Sequence, residues 1–318
     1  MLLSGVGRLS FTAGLIVLLT ACGGQSMTGG TPPALQSGTS ALFGNPDAVS
    51  QDLLYVSSVE NAKPNILIYS YPKGHFKKKV GRAALVTPLG ECADRRGHVY
   101  VTNQGSSSSS TSVLEYDHGG TAPVRTLTVN GDASQCSVDP TTGDLAVISS
   151  QLAVFRPARG KPTYLSFPGG FDRTAADYDD KGNLFVDGVT KKDTSRAALI
   201  ELPAGGSAFV KIRVPNIPEG KVRGDVRWDG KDLGLGDGVN SIYRLAISGK
   251  SAKEVGIVQL YGGADVTSLW IQGGDIVGAN TLNRSAMIWA YPAGGQPLKV
   301  LNNVGRGDGV AVSNAARK

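Results

Sequence analysis

The stretch Asp179-Asp-Lys-Gly-Asn-Leu-Phe-Val186 decides the fold. A polar run ends at Gly182, and a short apolar run follows. Asp bonds the backbone just after it, and Gly accepts positive φ without a steric penalty, so the polar half reads as a tight turn. The Leu-Phe-Val half reads as a strand leaving that turn. The pattern returns at Gly97-His-Val-Tyr-Val101, Gly143-Asp-Leu-Ala-Val147 and Gly274-Asp-Ile-Val-Gly278. Without the glycine it returns again at Asp52-Leu-Leu-Tyr-Val56 and Lys231-Asp-Leu-Gly-Leu235. Recurrence at about 40 residues marks a repeat architecture.

Each unit continues outward from this second strand. Third strands read at Ile66–Tyr69, Ser112–Tyr116, Leu152–Phe155, Ala198–Glu201, Ser241–Arg244 and Met287–Tyr291. Fourth strands read at Lys77–Val80, Val124–Val129, Thr163–Phe167, Val210–Val214, Glu254–Leu260 and Leu298–Leu301. First strands precede the second in units two to six: Cys92-Ala93, Cys136–Val138, Ala175–Tyr178, Asp225–Trp228 and Thr267–Ile271. The first unit has none. Its missing strand stands at the far end of the chain, as Asp308-Gly-Val-Ala-Val312. A ring of sheets needs that closure, because an open ring leaves an unpaired edge and an uncovered blade face. The expectation is an all-β, six-bladed β-propeller of four-stranded antiparallel blades over residues 51–314, closed by the C-terminal strand completing the first blade. Residues 315–318 form a polar tail.

Composition agrees. Gly is 43 of 318 residues and Pro 16, which suits many short strands joined by turns. The mean hydropathy of −0.07 excludes a polytopic membrane protein. Lys+Arg of 32 against Asp+Glu of 26 leaves a net charge of +6. The positives are scattered apart from Lys73, Lys77, Lys78, Lys79 and Arg82. That cluster reads as a solvated edge strand whose lysines block pairing with other chains, the alternative being attraction to an anionic surface. No RNA-binding motif or aromatic platform accompanies it, so no nucleic-acid partner is expected.

The N-terminus reads as an address. Arg8 is followed by the apolar stretch Phe11–Leu19, too short to span as a stable helix. It ends Leu19-Thr20-Ala21-Cys22. This resembles the bacterial lipoprotein signal. The resemblance implies a signal peptide over 1–21, lipidation of the Cys22 sulfur, cleavage before Cys22 and acylation of the new amino terminus. Residues 22–50, rich in Gly, Ser, Thr and Pro, read as a flexible tether. The chain is then exported and held to a membrane by lipid. Gly23 is not the Asp that retains such proteins at the inner membrane, which favours the outer membrane in a diderm cell.

The repeats are similar to NHL-repeat and TolB-like propellers over about residues 52–313. The segments Asp179–Val186 and Ile288-Trp-Ala-Tyr-Pro-Ala-Gly-Gly295 resemble those of exported bacterial propeller lipoproteins. That resemblance implies architecture and says little about activity.

Candidate chemistry is sparse. Cys92 and Cys136 hold equivalent first-strand positions in consecutive units. They pair as a disulfide in an oxidising compartment, or pack as two free thiols. His75, His98 and His118 fall in turns or at strand starts, with no zinc spacing. Glu91, Gln135, Asp225 and Asp308 lie in or just before first strands, and so are expected to line the central channel. In propellers resembling gluconolactonase such a set binds a divalent cation that activates water. The paired asparagines of that family are absent from these positions, which counts against a lactonase; the expectation is a solvated channel rim and no cofactor, with a divalent cation in the channel as the alternative. Asp177, Asp179 and Asp180 read as turn residues. Tyr178, Trp228 and Trp270 read as packing between blades. The expected function is a binding scaffold for a protein or glycan. The alternatives are a metal-dependent hydrolase or lactonase acting through the channel carboxylates, and more weakly a streptogramin-lyase-like enzyme.

Overall fold

The structure is a computed structural model. It describes residues 51–60, 63–81, 84–107, 111–217 and 224–315. The signal peptide, Cys22, the tether to residue 50, Arg82 and residues 316–318 of the tail lie outside the described residues. The chain divides into two units, Met1–Gly44 and Asn45–Lys318, and the described residues all belong to the second.

The described chain forms twenty-four strands in six four-stranded antiparallel sheets. Blade 1 combines β24 (Arg306–Ser313) with β1 (Leu53–Glu60), β2 (Lys63–Ser70) and β3 (Phe76–Val80). Blade 2 runs from β4 (Thr87–Ala93) through β5 (Val99–Gln104) and β6 (Ser112–Tyr116) to β7 (Arg125–Thr128). Blade 3 runs from β8 (Gln135–Val138) through β9 (Leu145–Ile148) and β10 (Leu152–Phe155) to β11 (Thr163–Leu165). Blade 4 follows from β12 (Phe171–Tyr178) through β13 (Leu184–Thr190) and β14 (Asp193–Leu202) to β15 (Val210–Ile212). Blade 5 holds β16 (Val226–Trp228), β17 (Leu233–Gly236), β18 (Ser241–Ser248) and β19 (Ser251–Gln259). Blade 6 holds β20 (Val266–Gln272), β21 (Asp275–Asn280), β22 (Ser285–Ala290) and β23 (Gly294–Leu301). All six expected units are therefore present, and a β-propeller of six blades is the fold.

The closure is as the sequence implied. β24 pairs antiparallel with β1, in register from Leu53 with Ser313 to Val59 with Arg306, with one irregularity at Ser57/Ser58. Polar contacts tie the joint to its neighbours. His118 Nδ1 sits 2.7 Å from Ser313 Oγ, and the Gln272 amide donates to Asn314 Oδ1 at 2.6 Å. Gly309 is required where β24 approaches β4, because a Cβ there would meet the Leu89 carbonyl oxygen and the Glu91 amide.

The turn between first and second strands explains the quoted repeat. In blade 4, Asp179 Oδ1 accepts from the amides of Lys181 and Asn183, and Gly182 holds φ at +82°. Asp94 does the same with the Arg96 and His98 amides, and Asp229 with those of Lys231 and Asp232. The apolar residues after each turn then pack between blades. One buried cluster fills each seam, as with Tyr55, Ile66, Val101 and Tyr116 between blades 1 and 2. Burial of this kind supplies about 25 cal/mol per Å² of apolar surface.

Candidate functional site

An innermost strand presents its edge to the propeller axis and its two faces to the neighbouring blades. Alternate residues therefore point toward opposite neighbours. Glu91 and Cys92 show the consequence. Glu91 pairs with Val101, which packs toward blade 1, whereas Cys92 pairs with Tyr100, which packs toward blade 3. Cys92 thus meets Cys136 of blade 3 in a disulfide, with the Cα atoms 5.6 Å apart. The bonded arrangement is the outcome of the two that the cysteine spacing allowed.

Glu91 is placed differently from the expectation. It is fully buried, and neither carboxyl oxygen accepts a hydrogen bond from the described residues. Burial drives its pKa well above the usual carboxylate value. It also contributes, after burial itself, to raising the phenols of Tyr55 and Tyr116 to about 12. Glu91 therefore belongs to the seam between blades 1 and 2.

Three predicted residues do lie near the axis. Gln135 and Asp308 line a depression of about 280 Å³ at the proximal mouth, where the inner strands begin. Asp308 pairs with Arg306 at 3.3 Å, and burial raises its pKa against that pairing. Asp225 lies deeper and is fully buried. Its Oδ2 accepts from the Leu269 amide at 2.8 Å, from Arg227 Nη2 at 3.0 Å and from Gln135 Nε2 at 3.2 Å, and its Oδ1 accepts from the Val226 amide. Only Gln135 and Asp225 touch among the four.

Two residues complete this axial cluster that the sequence reasoning did not place there. Arg227 is buried beside Asp225; its Nε donates to the Leu269 carbonyl at 2.6 Å and its guanidinium lies over the Trp270 ring. Its Nη1 stands 3.8 Å from Asp177 Oδ1. Asp177 accepts from the Ser137 hydroxyl at 2.7 Å and from the Trp228 amide at 2.8 Å. The turn reading holds for Asp179 and for Asp180, whose carboxylate also accepts from the Trp228 indole at 3.0 Å, but not for Asp177, which lies in β12. Burial pushes the Asp177 and Asp225 carboxyls up, and Arg227 pulls both back down. One arginine between two carboxylates thus links blades 3, 4, 5 and 6 across the axis. The signal for Arg227 was present in sequence: two residues after Asp225 on a strand, it shares that residue's side.

The chemistry available here is limited. The carboxylates of the axial cluster are occupied by guanidinium, amide and hydroxyl donors. Among the described residues, no three His, Cys, Asp or Glu side chains gather to hold a metal ion. His75 lies just before β3, His98 just before β5 and His118 after β6, each in a different place. Tyr178, Trp228 and Trp270 pack into seams as expected, and all three also line the distal mouth, where the inner strands end.

Comparison with known proteins bears on the fold. No family model matches the chain, and no curated protein matches it by sequence. Solved structures do match. A chain from the crystal structure of a nidogen–laminin complex superposes with a TM-score of 0.63 at 13% identity, covering 84% of this chain and 100% of that one. A Bacteroides caccae protein of unknown function gives 0.57 at 13% identity, over 83% and 99%. A Bacteroides fragilis protein named as a candidate 6-phosphogluconolactonase gives 0.54 at 12% identity, over 85% and 99%. The likeness is one of fold.

Proposed function

We propose that the chain is an exported binding module, held to a cell-envelope membrane by lipid on Cys22, that captures a protein or glycan outside the cytoplasm. The observation that carries this reading is the state of the axis. Asp225 and Asp177, the carboxylates best placed for channel chemistry, are bound to Arg227 and to backbone amides. A carboxylate so engaged holds blades together and has little capacity left for a metal or a water nucleophile. Rigid blades with variable turns at both mouths then favour recognition on a face. The nidogen–laminin complex, a protein–protein assembly with a chain of similar fold, is in keeping with this.

Two measurements test the reading. A palmitate analogue should label the expressed protein, and Cys22→Ser should abolish both the label and membrane fractionation. Melting in the presence of calcium, zinc or manganese at about 1 mM should match melting with a chelator. A metal-dependent rise in Tm that disappears in Asp225→Asn would overturn the binding-module reading in favour of a metal-dependent hydrolase.

A further inference from the structure

A second cavity lies beside the axial cluster, sharing Trp270 with it. It is a cleft of about 700 Å³ on the distal face, between blades 2 and 3. That size suits a small molecule rather than a macromolecular surface. Arg95 and Arg96 reach it from the turn between β4 and β5, Arg125 from β7, and Arg159 from the turn after β10. Tyr100 and Trp270 form part of its wall.

The carboxylates of the same cleft are already engaged. Glu115 accepts from Arg125 Nη1 at 2.6 Å. Asp94 accepts from the Arg96 and His98 amides and lies 2.7 Å from His98 Nδ1. Asp139 accepts from the Thr141 amide and hydroxyl at 2.7 Å, and from the Thr142 hydroxyl at 2.9 Å. Arg95 pairs outside the cleft with Asp180 at 3.5 Å. Arg96 and Arg159 are exposed and form no ion pair among the described residues. The backbone beside Arg159 is held in an unfavourable conformation: Ala158, buried in the cleft, adopts φ +34°. A non-glycine residue in that region costs about 1–3 kcal/mol and tends to occur at ligand clamps.

Two guanidiniums without an ion pair among the described residues, over a cavity with an aromatic wall, define a ligand chemistry. The planar fork of arginine matches the paired oxygens of a carboxylate or phosphate, and an aromatic wall contacts an apolar ring face. We propose that this cleft binds a small oxyanion-bearing ligand, a carboxylate or phosphate ester on a sugar-sized body, gripped by Arg96 and Arg159. This rests on the binding-module reading and gives it a site.

The test is titration calorimetry of the full chain with glucuronate, glucose 6-phosphate, inorganic phosphate and glucose. At least one of the two sugar acids should bind, and the stronger identifies carboxylate or phosphate as the recognised group. Glucose should give no heat. Arg96→Gln/Arg159→Gln should weaken binding about tenfold or more, with Tm unchanged because both side chains are exposed. Lys77→Gln/Lys79→Gln, on the outer strand of blade 1, should bind as wild type. Absence of binding by both sugar acids up to about 10 mM would overturn the proposal. So would equal affinity in the arginine variant, or inorganic phosphate binding as tightly as either sugar acid. Such a failure leaves the metal-melting result untouched, so the site and the binding-module reading can fall separately.

Discussion

Removing the strand that seals the ring is the perturbation with the largest calculable consequence. A chain ending at Gly305 lacks β24. Val310, Ala311 and Val312 are all fully buried there, and Val310 and Val312 pack with Leu54, Val56 and Val277 across the seam between blades 1 and 6. Full burial of a valine contributes about 1.5–3 kcal/mol, so the two valines account for roughly 3–6 kcal/mol. Their loss also uncovers Leu54 and Val56, which doubles the exposed apolar set to roughly 6–12 kcal/mol. The whole stability of a domain is about 5–15 kcal/mol. The truncated chain should therefore fail to form a cooperative monomer, or melt far below the intact one. Urea unfolding followed by tryptophan fluorescence, with light scattering to detect association through the bared edge of β1, checks this. A synthetic peptide of residues 306–318 should restore part of the lost midpoint. A truncated monomer with the wild-type midpoint and slope would refute the closed ring.

Three further predictions follow from the interior. Cys92→Ser opens a covalent loop spanning 44 positions of sequence and should cost roughly 3–4 kcal/mol, read as a lower urea midpoint, with mass spectrometry under reductant confirming the bond in the parent. Arg227→Met leaves Asp225 and Asp177 buried without their cation and should cost about 3–5 kcal/mol; adding Asp225→Asn should recover part of that, and simple additivity of the two losses would contradict the axial linkage. Glu91→Gln tests the buried carboxyl through pH. Because the folded pKa lies above the unfolded value near 4.5, the folded state binds the proton more tightly. Wild-type stability from this group is complete below about pH 4.5 and falls by about 1.4 kcal/mol per pH unit as pH rises toward the folded pKa. The glutamine variant lacks that slope, so its stability relative to wild type should rise with pH over that interval; parallel profiles would show that Glu91 does not titrate in the fold.

Local chemistry determined the blades. Asp-x-x-Gly followed by alternating apolar residues can form little besides a turn and a half-buried strand, and Asp179–Val186 does so in the structure as read. The same logic placed Asp308–Val312 on the first blade, because a sheet lacking its inner strand needs a partner from somewhere. Neighbouring first strands brought Cys92 and Cys136 together, but only because the two are offset by one position: Cys92 stands two residues before the turn residue Asp94 and Cys136 three before Asp139, so each faces the other's blade. The channel set was legible only in part. Position within a first strand says that a residue is near the axis, not which way it points. Glu91 and Cys92 are adjacent, yet one enters the seam with blade 1 and the other the seam with blade 3.

What the sequence alone determined is whatever depends on local spacing: the turns, the strands, their count and the joining of the two ends. What the tertiary structure decided is which carboxylates meet which cations. Asp177, Asp225 and Arg227 come from different blades, or from a strand whose facing is set by its neighbours, and their contacts exist only where inner strands converge. The cleft holding Arg96 and Arg159 has the same origin, since turns more than sixty residues apart share it only after the ring has closed.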